Sequence, residues 1–185
     1  MKISVGVSVR HVHLTKEDYN LLFDEPLEIK SPINQPGQFA AKQKVTLKNG
    51  ERTIENVRII GPQRPYTQVE ISRTDAYHLK LNPPVRPSGK LEDAETITII
   101  GPKGEITRKA AIIADRHIHI TPEQIKEKNL TKDIYNVEIK GEKGGIIYNV
   151  HIVEKEASYF EMHIDADDAN AHNLKQNDEV EIITG

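Results

Sequence analysis

Two short stretches of this chain carry the same chemistry-bearing pattern, Arg10-His11-Val12-His13-Leu14-Thr15 and Arg116-His117-Ile118-His119-Ile120-Thr121. In an extended strand, residues i and i+2 point to the same side, so each pair of imidazoles can address one point. Imidazole is the commonest protein ligand for zinc and similar metals. One His-x-His is weak evidence, because surface and packing histidines produce it too. Two copies in matching surroundings point to metal.

The copies belong to a longer internal repeat. The histidine stretches align at an offset of 106, whereas Asn56–Ile71 aligns without a gap on Asn149–Ile164 at an offset of 93. The second window pairs Asn56 with Asn149, Val57 with Val150, Ile59 with Ile152, Tyr66 with Tyr159 and Ile71 with Ile164, and Asp75-Ala76 then falls on Asp168-Ala169. Under that offset Glu70 superposes on His163. Each half then offers three metal-competent side chains: His11, His13 and Glu70 in one, His117, His119 and His163 in the other. Three protein ligands with one position left open is the pattern of a catalytic zinc site. Two such sites facing each other across a pseudo-twofold would make a two-metal centre. Taken singly, Glu70 reads as a surface acid and His163 as a packing residue; the repeat is what favours metal. His78, His151 and His172 have no equivalents and read as ordinary surface or packing histidines.

Several charges lie where the repeat does not require them. Arg64 precedes Glu70 by six residues and its counterpart is Ala157. A fixed guanidinium beside a metal suits bidentate phosphate or carboxylate. Arg86-Pro87-Ser88-Gly89 lies in an insertion absent from the second half. Such loops carry function more often than packing, so Arg86 and Ser88 are candidate substrate contacts beside the reading as a plain surface turn. Arg10 and Arg116 flank the histidine pairs and are placed either to pair with carboxylates or to bind anions.

The elements that must position these residues are mostly short strands. Lys2–Val9 alternates and runs into the first histidine pair. Thr15 followed by Lys16, Glu17 and Asp18 predicts a helix start, with the helix reaching about Phe23. Val45–Lys48, Asn49-Gly50 and Arg52–Ile60 predict a hairpin; Thr96–Ile100 and Ile106–Ile113 predict another around Gly101–Gly104. A short helix is expected over Thr74–Leu79. The pattern is mainly β with short α-helices, and short strands with Gly/Pro turns suggest small barrels. We expect two repeated β-barrel domains, 1–93 and 94–185, with insertions near 24–43 and 84–92. The boundary is soft, because the Thr96–Ile113 hairpin could serve either half.

Composition narrows the function classes. With 25 basic and 28 acidic residues in 185, no global field recruits nucleic acid or an anionic membrane. Trp is absent and aromatics are sparse, which argues against base-stacking platforms. No Cys is present, so disulfides, Cys-ligated zinc and a thiol nucleophile are excluded. No stretch approaches the roughly 20 apolar residues of a membrane helix. The expectation is a soluble cytoplasmic protein.

The segments SVRHVHLT, RPYTQVEISRT, VRPSG, DRHIHIT and EMHIDADDANA, in this order and spacing, resemble the PduL-type phosphate acyltransferases, also called phosphate propanoyltransferases. The resemblance spans nearly the whole chain. It implies two β-barrel domains with helical caps, a dinuclear zinc site, and interconversion of acyl-CoA plus phosphate with acyl phosphate plus CoA. Carried over by position, it implies His11, His13 and Glu70 on one metal, His117, His119 and His163 on the other, and Arg64 on the phosphate. Lys90 departs from the acid that many relatives carry after the RxSG motif. Some relatives have an N-terminal extension that directs them into microcompartments; with the first strand starting almost at Met1, a cytoplasmic location is expected.

The mechanism expected from both lines is direct attack of metal-bound phosphate on the thioester carbonyl of acetyl- or propanoyl-CoA, with either the metal or an arginine such as Arg86 or Arg116 to meet the oxyanion. The alternatives are a two-metal hydrolase and a non-catalytic metal-binding module. His and carboxylate ligands admit zinc, cobalt, manganese or iron, zinc being the first choice. Acyl preference and oligomeric state, a homo-oligomer included, stay open.

Overall fold

The structure, a computed structural model, describes residues 1–185. The chain begins with β1 (Lys2–Ser8), β2 (His11–His13), α1 (Lys16–Leu22), β3 (Ile29–Pro32) and β4 (Phe39–Asn49). There follow β5 (Arg52–Gly61), β6 (Gln68–Glu70), α2 (Arg73–Leu79), β7 (Val85–Arg86), β8 (Glu95–Ile100) and β9 (Glu105–Ala114). The remainder is β10 (His117–Ile120), α3 (Pro122–Lys128), β11 (Ile134–Ile139), β12 (Gly145–Glu154), β13 (Glu161–Asp165), α4 (Ala166–Ala171) and β14 (Glu179–Ile183).

The strands close into two barrels of six. One runs β4-β5-β2-β6-β9-β8 and returns to β4. The other runs β1-β13-β10-β12-β11-β14 and returns to β1. Matching pairings make β2 equivalent to β10, β4 to β11, β5 to β12, β6 to β13, β8 to β14 and β9 to β1. The mainly β, two-barrel expectation is therefore met, and three of the short helices pack on barrel strands, α1 against β9, α2 against β5 and α4 against β13 and β1.

The domain limits differ from the expected 1–93 and 94–185. The compact units are Val9–Ala114, and Met1–Ser8 with Asp115–Gly185. The reason is strand pairing. β9 pairs parallel with β6, which keeps the 95–114 hairpin in the first barrel, while β1 pairs parallel with β13 and antiparallel with β14. Each barrel is thus completed by the strand that leads into the other barrel's histidines. A sequence repeat cannot reveal this, because β1 and β9 both precede a histidine pair.

Each unit has its own core. Val12, Leu14, Leu47, Ile59, Val69, Ile97 and Ile99 lie in one; Val5, Ile118, Ile120, Val137, Met162 and Ile164 lie in the other. Local signals agree with these elements. Thr15, Ser72, Thr121 and Asp165 cap the four helices by accepting a backbone N–H. Asn56 and Asn149, matched in the repeat, both have positive φ (60° and 59°), and both lie where the hairpin register shifts. Asn tolerates that left-handed backbone better than most residues, which accounts for its recurrence at a bulge in each barrel.

Candidate metal centres

In the first barrel β2 lies between β5 and β6, with His11 opposite both Arg58 and Glu70. Val12 points into the core and is fully buried, so His11 and His13 turn to the other side together. The Nδ1–H of His11 donates to the Val9 carbonyl at 2.9 Å, and that of His13 to the Ile60 carbonyl at 3.1 Å. A carbonyl only accepts, so these contacts put the proton on Nδ1 and leave the Nε2 lone pairs exposed to each other. The two Nε2 atoms are 3.1 Å apart. The carboxylate oxygens of Glu70 lie 3.4 Å from His11 Nε2 and 3.6 Å from His13 Nε2. Tetrahedral ligands at about 2.0–2.1 Å from a zinc ion are separated by roughly 3.3–3.4 Å. The separations here are close to that spacing, with Oε2 of Glu70 nearer His11 and Oε1 nearer His13, and the donor set of two imidazoles and a carboxylate fits a divalent cation with a fourth position open.

The electrostatics agree with a site built for positive charge. Burial pushes the His13 imidazole down to about 4. Burial also acts downward on His11, yet the Glu70 carboxylate and the Val9 carbonyl outweigh it and raise its pKa. Burial would lift Glu70, but the two histidines hold it well below the usual carboxylate range. Lone pairs this close are tolerated only with a proton or a cation among them.

Around this cluster runs a hydrogen-bonded chain. Gln68, fully buried, donates to Glu70 Oε1 at 2.7 Å and to Ser88 Oγ at 2.9 Å, and its own oxygen accepts from Gly89 N at 2.7 Å. Arg64 donates to the same Ser88 Oγ at 3.1 Å and to Gln38 Oε1 at 3.3 Å. The Arg64 backbone is pinned by its N–H to the Leu14 carbonyl at 2.9 Å, at the end of β2. Arg64 is near enough for its charge to act on both His11 and His13. The inserted loop thus returns to the cluster.

The second barrel repeats the arrangement. His117 Nδ1 meets the Asp115 carbonyl at 2.8 Å, and His117 and His119 face each other Nε2 to Nε2 at 3.2 Å. His163, opposite His117 on β13, completes the group, with one ligand atom from each residue within 4.8 Å of the others. The His163 ring lies 4.6 Å from that of His119 and 5.3 Å from that of His117, centroid to centroid. Beside it, Glu161, buried to 2 % exposure, brings Oε2 to 2.7 Å from His163 Nε2.

The six residues expected to ligate metal therefore gather as two threes, and Arg64 and Ser88 join the first. Arg86 and Arg116 are held elsewhere. Arg86, at the end of β7, pairs with Asp93 in the loop that follows. Arg116 grips Asp168 at 2.7 and 2.6 Å, as Arg10 grips Asp75 at 2.8 and 2.7 Å, so the repeated arginines tie each histidine strand to the first turn of the helix after the third member of its cluster. His78 and His172 contact backbone carbonyls. Sequence reasoning missed Gln68 and Glu161. The available signal was their spacing: each stands two residues before the third member of its cluster, on the same side of its strand.

Two closed six-stranded barrels, each with its own histidine-rich cluster, define the class, a duplicated β-barrel protein with two candidate metal sites. Residues 4–175 match the family model described as phosphate propanoyltransferase. A phosphate propanoyltransferase of Rhodopseudomonas palustris is 45% identical over 98% of this chain and 82% of its own length. The one from Thermotoga maritima is 46% identical over 98% and 89%, and that of Salmonella typhimurium 42% over 91% and 82%. The chain belongs to the phosphate propanoyltransferase family, and is an acyltransferase enzyme acting with phosphate.

Proposed function

We propose that this enzyme moves a short-chain acyl group between coenzyme A and inorganic phosphate, with propanoyl-CoA and acetyl-CoA as substrates and one divalent cation, zinc by its donor set, held in each barrel. The observation that carries the reading is the chain Arg64–Ser88–Gln68–Glu70, in which a guanidinium is linked through one hydroxyl and one amide to the first cluster. No counterpart of Arg64 stands in the second barrel, where Ala157 takes its place. Phosphate accordingly binds at the His11/His13/Glu70 end, with Arg64 gripping two of its oxygens.

Arg64 gives bidentate recognition and aims a third phosphate oxygen at the thioester carbonyl. That oxygen's lone pair forms the new C–O bond, the carbonyl oxygen takes up charge, and the C–S bond then breaks to release CoA thiolate and acyl phosphate. Bound cations supply Lewis-acid charge to this chemistry. Ser88 and Gln68 hold Arg64 and Glu70 in register. With no Cys in the chain, a cysteinyl acyl-enzyme is excluded.

The test is to follow CoA release from propanoyl-CoA with a thiol reagent at varied phosphate. Arg64→Lys keeps the charge but loses the fork. We expect it to raise the KM for phosphate at least tenfold while the KM for acyl-CoA changes little. An unchanged phosphate KM would contradict the role of Arg64.

A further inference from the structure

The third member of each cluster differs, a carboxylate in the first barrel and an imidazole in the second. The residue two positions before it differs too, and in a complementary way. Gln68 and Glu161 are equivalent under the 93-residue offset, on the paired strands β6 and β13. Both side chains are buried, and each touches its own third member at 2.7 Å. An amide N–H donates to the carboxylate of Glu70, and a carboxylate accepts from the ring of His163. Exchanging either partner alone would set acceptor against acceptor or leave the ring N–H without a charged acceptor.

We propose that Gln68 and Glu161 are a matched pair of positioning residues, each fixing the orientation of the third ligand of its barrel's metal cluster. The inference rests on the metal reading above. For His163 the geometry says which nitrogen is concerned. β13 lies between β1 and β10. A Cβ placed on Gly6 of β1 would stand 2.7 Å from His163 Cδ2 and 2.9 Å from Glu161 Oε2. The Cδ2–Nε2 edge of the ring therefore faces β1 and Glu161, and the Nδ1 edge turns toward β10, which carries His117 and His119. Because a carboxylate only accepts, Glu161 fixes the proton on Nε2 and leaves the Nδ1 lone pair for the cation. Gln176 donates to the other oxygen of Glu161 at 3.4 Å and accepts the Val7 N–H at 2.8 Å, bracing the carboxylate against β1. In the first barrel Gly89 and Ser88 brace Gln68. Outer partners of this kind commonly change metal affinity ten- to hundredfold.

The test titrates the metal-stripped full chain with cobalt(II) against a chelator, one cluster at a time. In a His13→Ala background the three-histidine cluster is the one measured, and in a His119→Ala background the other. Adding Glu161→Gln, an isostere that keeps shape and removes charge, is expected to weaken cobalt at the three-histidine cluster about tenfold or more. The same change is expected to leave the His11/His13/Glu70 cluster within threefold. Gln68→Ala is expected to do the reverse. Melting of the metal-free variants, unchanged within about 2 °C, separates positioning from loss of fold; if Glu161→Gln melts early, Glu161→Asp replaces it and is expected to keep part of the affinity. Unchanged affinity, or equal weakening of both clusters, would overturn the pairing. A parent protein that takes up no cobalt would instead overturn the metal reading, which is a separate result.

Discussion

Three of the clustered imidazoles are oriented by one device. Backbone carbonyls of Val9, Ile60 and Asp115 take the Nδ1 protons of His11, His13 and His117 and leave the Nε2 atoms pointing inward. A different charge pair serves structure. Asp18 is buried on α1 and accepts from Arg108 at 3.1 and 2.5 Å and from the Thr67 hydroxyl at 2.6 Å. Burial pushes its pKa up, but the guanidinium and hydroxyl prevail and hold it below the ordinary 3.8. The unfolded chain then binds the proton more readily, so this contribution is full above pH 3.8 and is lost as pH falls through the lower folded value. Asp18→Asn should cost about 2 kcal/mol at pH 7. Urea midpoints measured from pH 7 down to pH 3 should show the gap to the parent closing below the unfolded pKa; a constant gap would contradict the ion pair. At this scale the two side-chain clusters were legible, because i and i+2 on a strand share a side and the repeat supplied Glu70 and His163. Gln68 and Glu161 were hidden. A strand amide or acid looks ordinary until its neighbour is known to need a donor or an acceptor. The pairing of Arg86 with Asp93 depends on how a Pro-rich loop turns back, which spacing alone does not encode.

The strands set what each cluster can contain. Opposite His163 on β1 stands Gly6, whereas its equivalent opposite Glu70 on β9 is Ile112. The glycine leaves space for the His163 ring and the Glu161 carboxylate, both of which an added Cβ would meet at under 3.0 Å. Gly6→Ala should destabilise the fold by about 1–3 kcal/mol and halve the bound metal, by emptying the three-histidine cluster. Melting curves with metal analysis check this, and full metal content at parental stability would show that the contact is not tight. Elements were legible where local chemistry dictates them. The Asn49-Gly50 turn, the Thr15 cap and the recurring Asn56 and Asn149 all mark backbone that few other residues serve. The three-residue strands β2 and β6 were harder to delimit, since their pairing partners lie far away in sequence.

Taken as a whole, the molecule is a duplication whose barrels exchange their closing strands, and here sequence reasoning placed the boundary too early. Repeats report equivalence of segments but not which copy pairs with which. Val5, fully buried in the second core, gives a way to check the assignment of β1. Val5→Asp puts an unpaired carboxylate among Ile118, Ile120 and Met162. Hydrogen exchange should then show protection lost across 115–185 and retained across 9–114; loss confined to 9–114 would contradict the pairing of β1 with β13 and β14.

The central claim, phosphate-dependent acyl transfer dependent on cations in the two clusters, is tested most directly by one assay. CoA release from propanoyl-CoA is measured with the metal-stripped enzyme and after zinc is restored, each with and without phosphate. The expected result is release only when zinc and phosphate are both present, with acyl phosphate formed in equal amount and two zinc ions bound per chain. Release without phosphate, or full turnover in the stripped enzyme, would contradict it.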